Sequence, residues 1–166
     1  LIPHWAKDKS VGVRAINARA DSVAEKPTFR AAFRLRRCLV PAAGFYEWKR
    51  EGKSKTPYYF SAADSASPLA FAGLWESWDG GGERVHSFSI ITTDANSFMT
   101  PVHHRMPVIL PPETWDEWLA PGNRDYAALQ NLLKPADADL LQCWEVGPYV
   151  NKAGNEGEQC IERISQ

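Results

Sequence analysis

The chain has 166 residues, 44% of them hydrophobic and a net charge of −1, which is the size and apolar content of one compact domain with a real core. No apolar run approaches the ~20 residues of a membrane-spanning helix and no charged-then-apolar leader opens the chain, so a soluble, intracellular protein is expected. Cys38, Cys143 and Cys160 are odd in number and scattered, which argues against a disulfide framework and a cysteine metal site.

In chain order, Leu1-Ile2-Pro3 runs straight into Trp5 and has no initiator Met, so it reads as the middle of a folded segment with residues missing upstream. Residues 1 to 37 carry nine Lys or Arg against Asp8, Asp21 and Glu25, a local balance of +6 that leaves −7 for the rest. That polarity fits either an anion-facing surface or a solvated helix face. Trp5, beside the basic stretch, is a base-stacking platform or a core residue. Asn17-Ala18-Arg19 before Asp21-Ser22 reads as a strand end entering an Asx-type turn. From Pro27, PTFRAAFRLRR places Phe29, Phe33 and Leu35 at roughly helical spacing, predicting a short amphipathic helix.

Cys38 to Trp48 is rich in strand formers, Glu51-Gly52 makes a turn, and a second strand follows around Tyr58-Tyr59-Phe60, which together read as a hairpin. Apolar runs at Leu69 to Trp75, Val85 to Thr92 and Met106 to Leu110 add three more strands. Helices are expected over 113–119, with Trp115, Trp118 and Leu119 on one face, and over 125–134. A last strand covers Leu140 to Val146 before a Gly- and Asn-rich tail.

Alternation in the Cys38 to Lys49 strand puts Phe45 and Glu47 on one face and Tyr46 and Trp48 on the other, leaving Glu47 at least partly buried among aromatics. Such a carboxylate either pairs with a cation or carries a raised pKa, the second being what a proton-transferring group needs. His103 and His104 precede a strand, where only one of two neighbours faces a given site. The other histidines, His4 and His86, lie in no metal-binding spacing, so no metal is expected.

The blocks Asn17-Ala-Arg-Ala-Asp-Ser22, Arg37-Cys-Leu-Val-Pro-Ala-Ala-Gly-Phe-Tyr-Glu-Trp48, Thr92-Thr93 and His103-His-Arg-Met-Pro107, with Val150 to Gly157 and Cys160-Ile161, resemble the successive signature blocks of the SRAP (SOS-response-associated peptidase) family. The resemblance covers essentially the whole chain. It implies a single α+β domain with a β-barrel-like, mostly antiparallel core and a few flanking helices, monomeric and without cofactor. Its partner would be single-stranded DNA carrying abasic sites.

The family's nucleophile is a cysteine exposed by removal of the initiator Met, whose amine and thiol capture the ring-opened sugar as a thiazolidine. An α-amine near pKa 7.8 is about 15% neutral at pH 7, against about 0.04% for an ordinary lysine. Matched by position, Asn17 would hold that cysteine's backbone, Arg19 would clamp a phosphate, and Glu47 would move protons at the amine and imine. His103 would protonate the sugar ring oxygen, and Trp5 would line the DNA channel. Asp21 stands where the family more often has Glu, and the sequence as it stands carries no amino-terminal cysteine. A leader-removing thiol peptidase and a noncovalent strand-binding module are the other function classes left open.

Overall fold

The computed structural model describes residues 1–64 and 67–164. The chain is mixed α and β, with eight strands among the described residues in two open, mostly antiparallel sheets. The barrel-like expectation takes this form, with no closed barrel among the described residues.

Two compact units divide the chain. One comprises residues 1–41, 70–94 and 107–136. Its sheet has the order β1, β6, β5, β2, built from β1 (Asn17–Arg19), β6 (Glu83–Asp94), β5 (Leu69–Gly80) and β2 (Arg37–Ala42). β5 and β6 form an antiparallel hairpin in which Gly80 faces Glu83, and the two loop residues Gly81 and Gly82 both take positive φ, as a type I′ turn requires. β1 runs parallel to β6, with Asn17 opposite Ile90.

α1 (Arg30–Leu35), α2 (Trp115–Leu119) and α3 (Tyr126–Asn131) are each too short to hold alone, so burial must fix them. Phe33, Trp118, Leu129, Ile91 and Leu74 are fully buried in one cluster with Phe29, and each such side chain contributes about 1.5–3 kcal/mol. Two expected helix-face residues fall outside it: Leu35 and Leu119 are exposed. The helix spacing explains Leu35, since Phe29 and Phe33 are four apart while a residue two further on points away from that stripe. Arg37 occupies the buried place instead.

The second unit comprises residues 42–69, 95–106 and 137–166. Its sheet has the order β3 (Gly44–Glu51), β4 (Ser54–Ala62), β8 (Leu141–Glu145), all antiparallel. The expected continuous strand from Cys38 to Trp48 breaks at Ala43, so its halves serve different sheets. A β-carbon at Gly44 would collide with Phe60 O and the Tyr59 ring, so glycine is what lets β3 close onto β4. Gly52, at φ +60°, is the first of two loop residues between Glu51 and Ser54, the Gly-first arrangement of a type II′ turn, and that turn sets the register. The strand expected over Met106 to Leu110 is only three residues long, β7 (Arg105–Pro107).

One face of the second sheet carries Tyr46, Tyr59 and Trp144 in adjacent cross-strand positions, with ring centroids 5.1 Å apart at each step. The other carries Phe45 stacked on Phe60 at 5.3 Å, with Phe98 edge-on to Phe60. The two-faced apolar strand expected from the alternation is therefore present, and it carries Glu47 on the Phe45 face.

Candidate active site

Glu47 and His103 meet in the second unit, with Glu47 Oε1 3.7 Å from His103 Nδ1 and both side chains mostly buried. β3 presents the carboxylate opposite Tyr58 of β4, and the turn before β7 presents the imidazole. Arg105 N donates to His103 Nδ1 at 3.1 Å, and Arg105 O lies 3.0 Å from the same nitrogen. One ring nitrogen cannot accept from the first and donate to the second at once, so the pair of contacts serves both tautomers. With Nδ1 held by Arg105 and Glu47, Nε2 is the nitrogen left for a substrate proton.

Loss of water around Glu47 raises its carboxyl above the ordinary value of 4.5, while His103 and the Trp48 backbone amide pull the other way. A carboxyl whose pKa is higher folded than unfolded favours folding while protonated, and that contribution is lost as pH rises through the folded value. Ionised Glu47 therefore costs stability at neutral pH. Glu47→Gln is expected to raise Tm by about 2–4 °C at pH 7.5, with the gain shrinking as pH falls through the raised folded value and gone at the ordinary value of 4.5; a lower Tm for the variant at pH 7.5 would contradict this.

A cleft of about 400 Å³ opens beside the pair, lined by Glu47, Trp48, Arg50, Lys55, His103 and Asn151. Glu47 and Trp48 point to opposite faces of β3, an edge strand of its sheet, and both line the cleft. Trp48 Nε1 donates to Asn151 Oδ1 at 2.7 Å. Sequence reading did not single out Arg50, Lys55 or Asn151. The first two were recoverable from the hairpin register; Asn151 lies in the closing block of the resemblance, which gave it no role of its own. His104 is exposed, its ring 4.6 Å from that of His103.

Asn17, Arg19 and Trp5 belong to the first unit. Asn17 opens β1 and is exposed. Arg19 is exposed and held by Asp21, which accepts from both its Nε and Nη2 and raises its pKa. An incoming anion would have to compete with that carboxylate. Trp5 is 53% exposed, whereas Trp118 and Trp78 are core, and its ring lines a shallow groove with His4, Pro27, Arg30 and Ala31. An open indole beside a guanidinium suits a stacked base with its phosphate.

Much of the basic amino-terminal run is already engaged. Arg36 pairs with buried Glu76 at 2.7 Å, Lys9 with Glu83 at 3.0 Å, and Arg37 is consumed by main-chain carbonyls. Of the thiols, burial pushes Cys38 up to about 11 and also raises Cys143, which makes both poor nucleophiles. Among the described residues no group of three or more His, Cys, Asp or Glu is placed to hold a metal, and no helix is long and apolar enough to cross a membrane.

Comparison with known proteins gives the family. YoqW of Bacillus subtilis (strain 168), named an abasic site processing protein, is 45% identical over 164 residues, covering 98% of this chain and 73% of its own. HMCES of Xenopus tropicalis, also named an abasic site processing protein, is 31% identical, covering 99% of this chain and 55% of its own. A crystal structure of a Bacteroides thetaiotaomicron protein superposes with a TM-score of 0.90 at 35% identity, over 99% of this chain and 74% of that one. The sequence model of the SOS response associated peptidase (SRAP) family matches residues 1–153, and the chain belongs to that family.

Proposed function

We propose that this protein processes abasic sites in single-stranded DNA, and that it does so by covalent capture through an amino-terminal cysteine of the complete polypeptide. The observation that carries the reading is the 3.7 Å approach of Glu47 to His103, with the carboxyl shifted toward a proton-exchanging value by burial. The names of the relatives support the substrate.

In this reading His103 protonates the ring oxygen of the closed sugar, which opens to the aldehyde. Glu47 takes a proton from the cysteine ammonium, and the free amine adds to the aldehyde carbon. Loss of water gives an imine, and the neighbouring thiol adds to it with a large effective concentration to close the thiazolidine. Within the first unit by itself, Asn17 offers an amide to the cysteine backbone, and Arg19 and Trp5 offer a cation and an indole to a phosphate and a base. Carbon–nitrogen and carbon–sulfur bonds form, one water leaves, and no oxidant is needed.

The family's description as a peptidase favours a second use of the same centre, removal of a short leader to expose the cysteine. The test uses protein expressed from its complete reading frame and a single-stranded oligonucleotide with one abasic site, resolved on a denaturing gel. A covalent band is expected, absent when the cysteine after the initiator Met is alanine and absent from the 166-residue chain. No band from the complete protein, or an equal band from the alanine variant, refutes the proposal.

A further inference from the structure

The β3–β4 hairpin carries a charge arrangement that nothing within it balances. The type II′ register puts Arg50 directly opposite Lys55, two like charges on facing strands, a pairing that destabilises a sheet unless something anionic lies over it. Lys53 in the turn adds to it, and Glu51, at the end of β3, is taken by Lys49 at 2.6 Å. Other exposed cations sit on acids, as in Lys9–Glu83, Arg19–Asp21 and Arg84–Asp79. Among the described residues neither Arg50 nor Lys55 has an acidic partner within 4.0 Å.

Both side chains line the cleft that holds Glu47 and His103, and both are exposed. The Trp48 indole, its N–H fixed by Asn151, lines the same cleft. The cleft thus brings together a proton-transfer pair, an aromatic ring and two cations. A single strand of DNA repeats sugar, base and phosphate, and offers each of these groups its partner.

We propose that Arg50 and Lys55 together bind a backbone phosphate of the strand flanking the reacting sugar, and that they position the sugar against Glu47 and His103. The proposal rests on the reading of that pair as the abasic-site centre. The cost of the like-charge pair in the free protein is offset when the phosphate arrives, so the pair gives up stability for binding.

The test compares complete wild-type protein with Arg50→Gln/Lys55→Gln and with the charge-keeping Arg50→Lys/Lys55→Arg. Affinity for an abasic single-stranded oligonucleotide is measured across salt, before crosslinking, beside Tm. The Gln pair is expected to lower the slope of log affinity against log salt by about 0.7, the contribution of one single-strand phosphate. It is also expected to keep or raise Tm, and the charge-keeping pair should restore the slope. Replacing flanking phosphates one at a time by neutral methylphosphonate should weaken wild-type binding at one position and leave the Gln pair indifferent there. An unchanged slope, or a Gln pair that weakens binding only by unfolding, overturns the assignment. If wild-type protein reacts with abasic DNA and the Gln pair matches it, the phosphate site alone falls; if wild type neither binds nor reacts, the abasic-site reading falls and takes this one with it.

Discussion

Glutamine at position 47 of the complete protein is expected to slow covalent capture of an abasic site by about 10²–10⁴-fold at pH 7, while affinity for intact single-stranded DNA stays at the wild-type level. Glutamine keeps the size of the side chain and an acceptor oxygen, so the cleft beside β3 should keep its shape. It cannot take the ammonium proton. A loss confined to the rate, with binding preserved, is the signature of an interaction made only as the reaction proceeds.

His103→Ala should also slow the reaction, for a different reason, and the substrate separates the two. An oligonucleotide bearing a ready-made open-chain aldehyde needs no ring opening, so it should largely rescue His103→Ala and leave Glu47→Gln slow. Because the two side chains lie 3.7 Å apart, their effects on the natural substrate should not simply multiply. Capture by Glu47→Gln at the wild-type rate would remove the carboxylate from the mechanism. Equal rescue of both variants by the aldehyde would show that neither has the separate role assigned to it.

What the sequence made legible was periodicity and local pattern. Strict alternation from Phe45 to Trp48 predicts two apolar faces and a half-buried Glu47, and both are present because a side-chain period of two leaves no other arrangement. The strand's break at Ala43 was not legible, since Pro41-Ala-Ala-Gly44 is compatible with a continuing strand and only the collision avoided at Gly44 fixes the change of sheet. The basic run over residues 1 to 37 was read by its sum, yet charge counting cannot see Glu76 or Glu83, far along the chain, meeting Arg36 and Lys9. Conversely, Arg50 and Lys55 sit in a chain segment whose neighbours hide them in the overall balance, and only the turn register pairs them. Glu47 and His103 were placed together by the resemblance alone, because nothing local to either residue implies the other.

Arg37 opens the twelve-residue block that carries the resemblance, and its substitution tests whether that block is all chemistry. The residue is 7% exposed, and each of its three guanidinium nitrogens donates to main-chain oxygen. Nη1 donates to Phe33 O at 2.8 Å and Arg34 O at 3.0 Å at the end of α1. Nε donates to Trp118 O at 2.6 Å and Nη2 to Ala120 O at 2.7 Å at the end of α2. Both helices are too short to satisfy their last carbonyls internally, and the negative ends of their dipoles suit a cation there. The Trp118 ring lies 5.8 Å below the guanidinium and returns its own N–H to Cys38 O at 2.9 Å, so the fork ties both helix ends to β2. Burial lowers the Arg37 pKa, yet the group has no acidic partner among the described residues, which leaves the carbonyls as its stabilisation. Arg37→Ala strands those carbonyls beside a cavity and is expected to cost about 3–5 kcal/mol in urea unfolding. Arg37→Lys keeps the charge and loses the planar fork, so it should fall between the two. Where Arg37→Lys protein remains folded, its rate of abasic-site capture should match wild type, because the residue fixes the start of β2 and reaches no reacting atom; a Lys variant that is stable but slow would move Arg37 from the scaffold into the site.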